Sequence, residues 1–202
     1  MASTSVLIPP PAPPPSAPPL VIVGASARAA AWSAIRAGRR PLCADLFADR
    51  DLLAVAVAIA VEDYPLGLVK AVEDLLSSGP DAACPAIYTG AMENHFEVVA
   101  ALSDRGPLLG NPPETLRLVS DPGWIAQLCD DHNLSCPAIR PADDPPPRGH
   151  QWLLRQPLSA GGSGVSEWNG TARPPGSNAV FQERIRGRSA AALCLGTGSA
   201  AR

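Results

Sequence analysis

The sequence has little lysine, no marked excess of either charge and no long apolar run, and each shortage removes a class of function. Lys70 is the one lysine in 202 residues, and 16 Lys plus Arg stand against 19 Asp plus Glu, for a net charge of −3. A near-neutral, slightly acidic chain lacks the electrostatic footprint that nucleic-acid binding needs, so that class is set aside. The longest uninterrupted apolar stretch, Leu52 to Val61, falls well short of the roughly 20 residues of a membrane helix and suits a buried strand with its flanks. No basic segment precedes Val6-Leu7-Ile8, which runs straight into proline, so the start of the chain does not read as a secretory signal. Cysteine is sparse too. Cys43, Cys84, Cys129, Cys136 and Cys194 are an odd set without a dense framework, as expected for reduced thiols in a cytoplasmic protein. Cys129, His132 and Cys136 have metal-like spacing, but no fourth ligand lies nearby and structural zinc takes four. They read instead as a helix carrying Cys129 and His132, followed by a short strand starting near Cys136, and no metal site is expected. The abundance of Ala and Arg fits a GC-rich bacterial genome.

What is present is order that alternates. Met1 to Pro19 hold eight of the 24 prolines, so this leader is expected to be extended and mobile. Leu20-Val21-Ile22-Val23 then reads as a strand buried on both faces, followed by a helix to Ala37 closed by Gly38. Further strands are expected at Pro41–Asp45, Val55–Ala60, Ala86–Tyr88 and Pro107–Leu109, with helices at Leu66–Ser77 and Glu93–Ser103. Strands alternating with helices at this spacing imply a parallel α/β sheet of Rossmann-like type. Helices follow at Pro113–Val119 and Pro122–Asn133, the second capped by Asp121, and then a Pro- and Asp-rich linker from Pro141 to Gly149. The pattern changes at Trp152. Strands at Trp152–Arg155, Val165–Trp168 and Val180–Glu183 around a glycine turn predict antiparallel structure and a second domain.

Three places can carry chemistry. Gly24-Ala25-Ser26-Ala27-Arg28 joins a strand to a helix N-terminus, a natural anion site, and Asp45 follows where a ribose-binding acid stands in dinucleotide enzymes. One Gly stands where G-x-G-x-x-G needs three, so NAD binding is a minor alternative. Glu93 and Asn94 leave the C-terminal end of the fourth strand, where open α/β sheets collect ligands. Ser159, Gly161, Gly162, Ser163 and Gly164 form a flexible turn whose N–H groups can cradle phosphates, with Arg155 as a fixed positive charge beside it.

The segments GASARAAA (24–31), CADLFAD (43–49), YTGAMENH (88–95), LLGNPPE (108–114), WLLRQPLSAGGSG (152–164) and FQERIRG (181–187) follow one another in an order that resembles the ATP-grasp superfamily, in its branch of ATP-dependent carboligases. The resemblance implies a pre-ATP-grasp α/β domain over residues 20–111 and a partial α+β first nucleotide-binding subdomain over 112–202, after the leader 1–19. It places Arg155 where relatives carry a Lys on the α- and β-phosphates, a change from a compact ammonium to a planar fork. Ser159 to Gly164 match the flap over the triphosphate, and Gln182, Glu183, Arg184 and Ile185 match the hinge that reads adenine. Ser26, Arg28, Glu93 and Asn94 are then expected at the non-nucleotide substrate. Ser189 stands where many relatives have an acid for the ribose, and Asp121-Pro122 replaces a common Asp-Lys pair. After Glu183 the sequence has no acidic residue, whereas the superfamily holds its metal with acids and an Asn on later strands. The chain is therefore expected to be a fragment or a truncated gene product, with Mg2+ expected only for the complete enzyme. The implied activity transfers the γ-phosphoryl of ATP to a small carboxylate, giving an acyl phosphate that an amine or another nucleophile attacks. A non-catalytic nucleotide-binding or regulatory protein is the alternative, with a Rossmann NAD-dependent oxidoreductase using Asp45 as a lesser one, and no residue reads as a general base.

Overall fold

The computed structural model describes residues 10–77, 84–147, 151–156, 158–159, 161–170 and 178–188. Met1 to Pro9, Ala160, Ser189 and Cys194 lie outside the described residues. Four parallel strands, β1 (Pro19–Gly24), β2 (Arg40–Asp45), β3 (Val57–Ala60) and β4 (Ala86–Tyr88), form one sheet in the order β3-β2-β1-β4. The helices around them are α1 (Arg28–Arg36), α2 (Arg50–Leu53), α3 (Gly67–Ser77), α4 (Phe96–Arg105), α5 (Pro113–Ser120) and α6 (Pro122–Asp131). β1, and β2 between Arg40 and Asp45, are apolar without interruption because both faces are covered. Val21, Val23, Leu42 and Ala44 pack on one face with Leu68, Val72, Val98 and Leu102 of α3 and α4. Leu20, Ile22 and Cys43 pack on the other with Ala31 and Ala34 of α1 and Leu52 of α2. Pro19 already belongs to β1, one residue earlier than expected.

Helix α1 ends as the glycine foretells. Gly38 takes φ +72°, its N–H reaches the Ile35 carbonyl at 2.9 Å, and the Arg39 N–H reaches the Ala34 carbonyl at 2.9 Å. This is the paired closure of a left-handed helix terminus. The glycine ending β1 has a different cause. Gly24 has φ +153°, and a Cβ there would stand 2.1 Å from Thr89 Oγ1 beyond β4, so neither the backbone conformation nor the space admits a side chain.

Three sequence expectations need correcting. The run Leu52 to Val61 is not one buried strand: it begins in α2, turns, passes through β3, none of whose residues is buried, and ends at the buried Val61 just beyond it. β3 is the edge of the sheet, which leaves Val57 55% exposed. Pro107–Leu109 is not a full strand. Leu108 bridges Ala86 in parallel, held by Ala86 N–H to Pro107 O at 2.9 Å and Leu109 N–H to Ala86 O at 2.8 Å, and goes no further. The helix expected from Glu93 is broken. Met92–Asn94 make a 3-10 turn, His95 leaves helical geometry at φ −125°, and α4 starts afresh at Phe96.

Four antiparallel strands form the second sheet: β5 (Ile139–Pro141), β6 (Trp152–Arg155), β7 (Val165–Trp168) and β8 (Val180–Glu183), in the order β5-β8-β6-β7. β5 starts at Ile139, three residues later than the strand expected near Cys136. Alternation sorts this sheet into two faces. Trp152, Leu154 and Phe181 form a core with Ala179 and Trp168, and the Trp168 and Phe181 rings meet edge to face at 5.2 Å. The register places Leu153, Arg155, Val180, Gln182 and Ile139 on the opposite face.

Candidate functional site

That opposite face closes a cavity of about 440 Å³ whose far wall is the 3-10 turn after β4. Arg155, Gln156 and Ser159 border it from β6 and the turn that follows, Gln182 and Val180 from β8, and Glu93 and Asn94 from the α/β side. Ile125 of α6, Cys136 and Ile139 supply an apolar floor. An adjoining cavity of about 530 Å³ has, among the described residues, one charged wall residue, Asp121, and that carboxylate caps α6. Asp121 Oδ1 accepts from the Gly123 N–H at 2.8 Å and the Trp124 N–H at 3.3 Å, as the Asp-Pro helix start predicts.

Arg155 Nη1 donates to Gln182 Oε1 at 2.7 Å. The bond crosses from β6 to β8 on the cavity face and fixes one edge of a planar cation whose remaining donors take no other partner among the described residues. The turn beyond β6 is closed by Gln156 N–H to Gly164 O at 2.8 Å and Val165 N–H to Gly162 O at 3.1 Å. Gly161 and Gly162 have φ +62° and +79°, and Ser159 Oγ donates to the Gln156 carbonyl at 2.9 Å. This hairpin presents Ser159 and Leu158 to the cavity, whereas Gly161, Gly162, Ser163 and Gly164 do not border it.

The hinge residues behave differently from one another. Gln182 reaches the cavity. The Glu183 N–H bonds the Ala138 carbonyl at 2.9 Å and its Oε2 accepts from the Ala138 N–H at 3.1 Å, so Glu183 ties β8 to the segment before β5. Arg184 pairs with Glu167 of β7, its N–H bonds the Gln151 carbonyl at 2.9 Å, and Ile185 is 63% exposed.

On the α/β side, Glu93 lies among neutral phenols. Burial pushes the Tyr64 and Tyr88 hydroxyls up from their ordinary range, and the Glu93 carboxylate adds to the shift in both. Tyr88 donates to the Asn111 carbonyl at 2.8 Å, and Tyr64 packs edge to face on His95 at 5.8 Å. Ser26 and Arg28 do not join this cavity. Arg28 pairs with Asp51 at 3.2 Å and Asp49 at 3.8 Å at the start of α2, and Ser26 is an exposed loop residue.

Asp45 is the structure's clearest reassignment. Only 2% exposed, its carboxylate accepts from the Ala27 N–H at 2.6 Å and from the Phe47 and Ala48 N–H groups at 2.8 Å. Those bonds lock the loop after β1 to the loop after β2, which occupies the oxygens a ribose would need. The Lys70 ammonium is equally committed, to Asp74 at 2.7 Å along the exposed side of α3. Sequence reasoning missed Cys136, which borders the cavity. Burial raises its thiol, and a hydrogen bond with the Cys129 side chain raises it further. His132 caps the end of α6, and among the described residues no three His, Cys, Asp or Glu side chains gather as a metal cage.

No protein-family model matches the chain, and no curated protein matches its sequence. Solved structures do match. N5-carboxyaminoimidazole synthetase from Staphylococcus aureus, complexed with ADP, superposes with a TM-score of 0.62 at 14% identity over 89% of this chain and 50% of its own. The L-amino acid ligase from Bacillus licheniformis gives 0.59 at 12% identity, over 83% of this chain and 44% of its own. The biotin carboxylase domain of Hydrogenobacter thermophilus 2-oxoglutarate carboxylase, with MgADP and bicarbonate, gives 0.56 at 14%, over 82% and 44%. The chain thus spans about half the length of these proteins. Among the described residues no helix is long and apolar enough to cross a membrane.

Proposed function

We propose that this chain, whose fold is that of the ATP-grasp ligases, binds ATP in the cavity between Arg155 and Glu93. Residues 20–111 then act as the pre-grasp unit and 112–202 as the first nucleotide-binding unit, after the leader 1–19. Arg155 meets the phosphates, the Ser159–Gly164 hairpin covers them, and the hinge Gln182, Glu183, Arg184, Ile185 takes the adenine. Glu93 and Asn94 face the second substrate. The reading is carried by one observation: Arg155, Gln182 and Glu93, from separate parts of the chain, border the same cavity.

The reaction we infer is carboxylate ligation. A carboxylate oxygen attacks the γ-phosphorus, the bond to the β–γ bridging oxygen breaks, and ADP leaves. An amine or another nucleophile then attacks the acyl carbon and phosphate departs. Arg155 stabilises charge on the phosphate oxygens at the position it already holds. Magnesium, when bound in such enzymes, neutralises that charge. Glu93 is the one carboxylate in the described wall, which does not fit an octahedral ion. That donor set, with Arg155 tied to Gln182, supports a second reading as a nucleotide-binding regulator. A cytoplasmic, bacterial setting accompanies either.

Calorimetric titration with ATP and with NAD tests the nucleotide. ATP is expected to bind and NAD to bind more weakly, because Asp45 is engaged; tighter binding of NAD would overturn the reading. Hydroxamate formation from ATP, hydroxylamine and a panel of small carboxylates distinguishes ligase from regulator.

A further inference from the structure

The two edges of the parallel sheet are finished differently. Beyond β4 the chain itself adds a bridge, Leu108 to Ala86. β3, at the other edge, is paired with β2 along one side, and among the described residues nothing hydrogen-bonds to its outer side. Val57, Ala58, Ile59 and Ala60 include no lysine, proline or charge, so β3 lacks the devices that keep a row of free N–H and C=O groups from pairing with another strand. Exposed apolar groups flank it. Val57 is on the face that Ile59 shares with α3, and Leu53 is on α2, which packs on the opposite face through Leu52. Charges flank it too. Arg50 opens α2 ahead of the strand and Glu62 and Asp63 follow it, all three exposed and their side chains without an ion pair or hydrogen bond among the described residues.

We propose that β3 pairs with β3 of a second copy of this chain, antiparallel about a two-fold axis, joining the two parallel sheets into one. The charges select the direction. Antiparallel pairing brings the Arg50 end of one strand to the Glu62–Asp63 end of the other at both ends of the seam, whereas parallel pairing sets like charges side by side. A two-fold axis normal to the sheet keeps each face on its own side, so residues of like parity meet. Centred on Ala58, the seam places Val57 opposite Ile59 of the second copy and covers its exposed side chain. The contact is isologous and therefore closes at two copies. Its short strands make the dimer reversible. No residue of β3 borders the cavity, so the pairing does not depend on what the cavity holds.

Sedimentation equilibrium of the full chain over a wide concentration range tests this, with amide hydrogen exchange over Val57–Ala60 measured at low and high concentration. The wild type is expected to show a reversible monomer–dimer equilibrium, with exchange in β3 slowing as the dimer forms. Val57→Lys puts a charge at an exposed position that folding does not bury, and should raise the dissociation constant several-fold. Arg50→Glu should raise it as well, and combining it with Glu62→Arg and Asp63→Arg should restore dimerisation. A wild type that stays monomeric at every concentration would overturn the proposal. So would a dimer unmoved by Val57→Lys and Arg50→Glu, or one that the charge exchange fails to restore.

Discussion

Arg155 and Gln182 face the same cavity from adjacent strands, joined by a 2.7 Å hydrogen bond from guanidinium to side-chain amide oxygen. The register explains why: Leu153 pairs with Gln182 and Arg155 with Val180, so the two side chains are diagonal neighbours on one face. A glutamine from the expected adenine hinge thereby orients the cation expected at the phosphates. Gln182→Leu should release the guanidinium and lower ATP affinity a few-fold. The double variant with Arg155→Ala should then cost less than the sum of the two, by about 0.5 kcal/mol or more. A thermodynamic cycle measured by calorimetry checks this; strict additivity would mean that the hydrogen bond does not position Arg155.

Asp45 has a structural assignment with a measurable cost. Asp45→Ala strands the buried Ala27 N–H and frees two loop N–H groups, and stability should fall by about 3 kcal/mol. Urea unfolding should show a lower midpoint at unchanged slope. ATP affinity of the folded variant should be unaffected, since Asp45 does not border the cavity.

Cys43 should make the protein sensitive to alkali. Burial, with the Asp45 charge adding, pushes its thiol from 9.0 up to about 12. The folded state therefore holds the proton more tightly than the unfolded chain. This stabilisation is complete below pH 9 and is lost as pH rises toward 12, by about 4 kcal/mol across that window. Cys43→Ala should flatten the fall of stability over that range in unfolding curves taken at stepped pH. A slope identical to that of the wild type would show that another group controls it.

Burial patterns in this chain were legible where residues report directly on their surroundings. Leu20 to Val23 announce a doubly covered strand, and Asp121-Pro122 and Gly38 announce helix ends. Edge position is different. Val57 to Ala60 are as apolar as a central strand, and only the sheet order exposes them. Sites divide in the same way. Arg155, Ser159, Gln182, Glu93 and Asn94 meet at the cavity because strand ends and turns collect ligands, whereas the pairing of Arg28 with Asp49 and Asp51 depends on where α2 packs. The end of α6 depends on the left-handed turn at Asn133, and Asn marks such a turn less surely than Gly.

Because Cys136 borders the cavity, ATP should shield it. Alkylation at Cys136 by a maleimide, followed by mass mapping, should slow several-fold in the presence of saturating ATP, while NAD at the same concentration leaves the rate unchanged. An ATP-independent rate would place the nucleotide elsewhere.

The central claim is that the cavity beside Arg155 and the glycine hairpin holds ATP, and ATP titration of the wild type, Arg155→Ala and Gly162→Val tests it most directly. Arg155→Ala removes a charge-assisted contact and should weaken binding roughly 10- to 150-fold, equivalent to about 1.5–3 kcal/mol. Gly162→Val forces a β-branched residue to φ +79° and should distort the hairpin that presents Ser159, again weakening ATP, with the thermal unfolding midpoint reported alongside for each variant. Weaker binding in both variants is the expected result; affinities equal to the wild type in both would reduce the hairpin to a turn and contradict the assignment of this cavity to ATP.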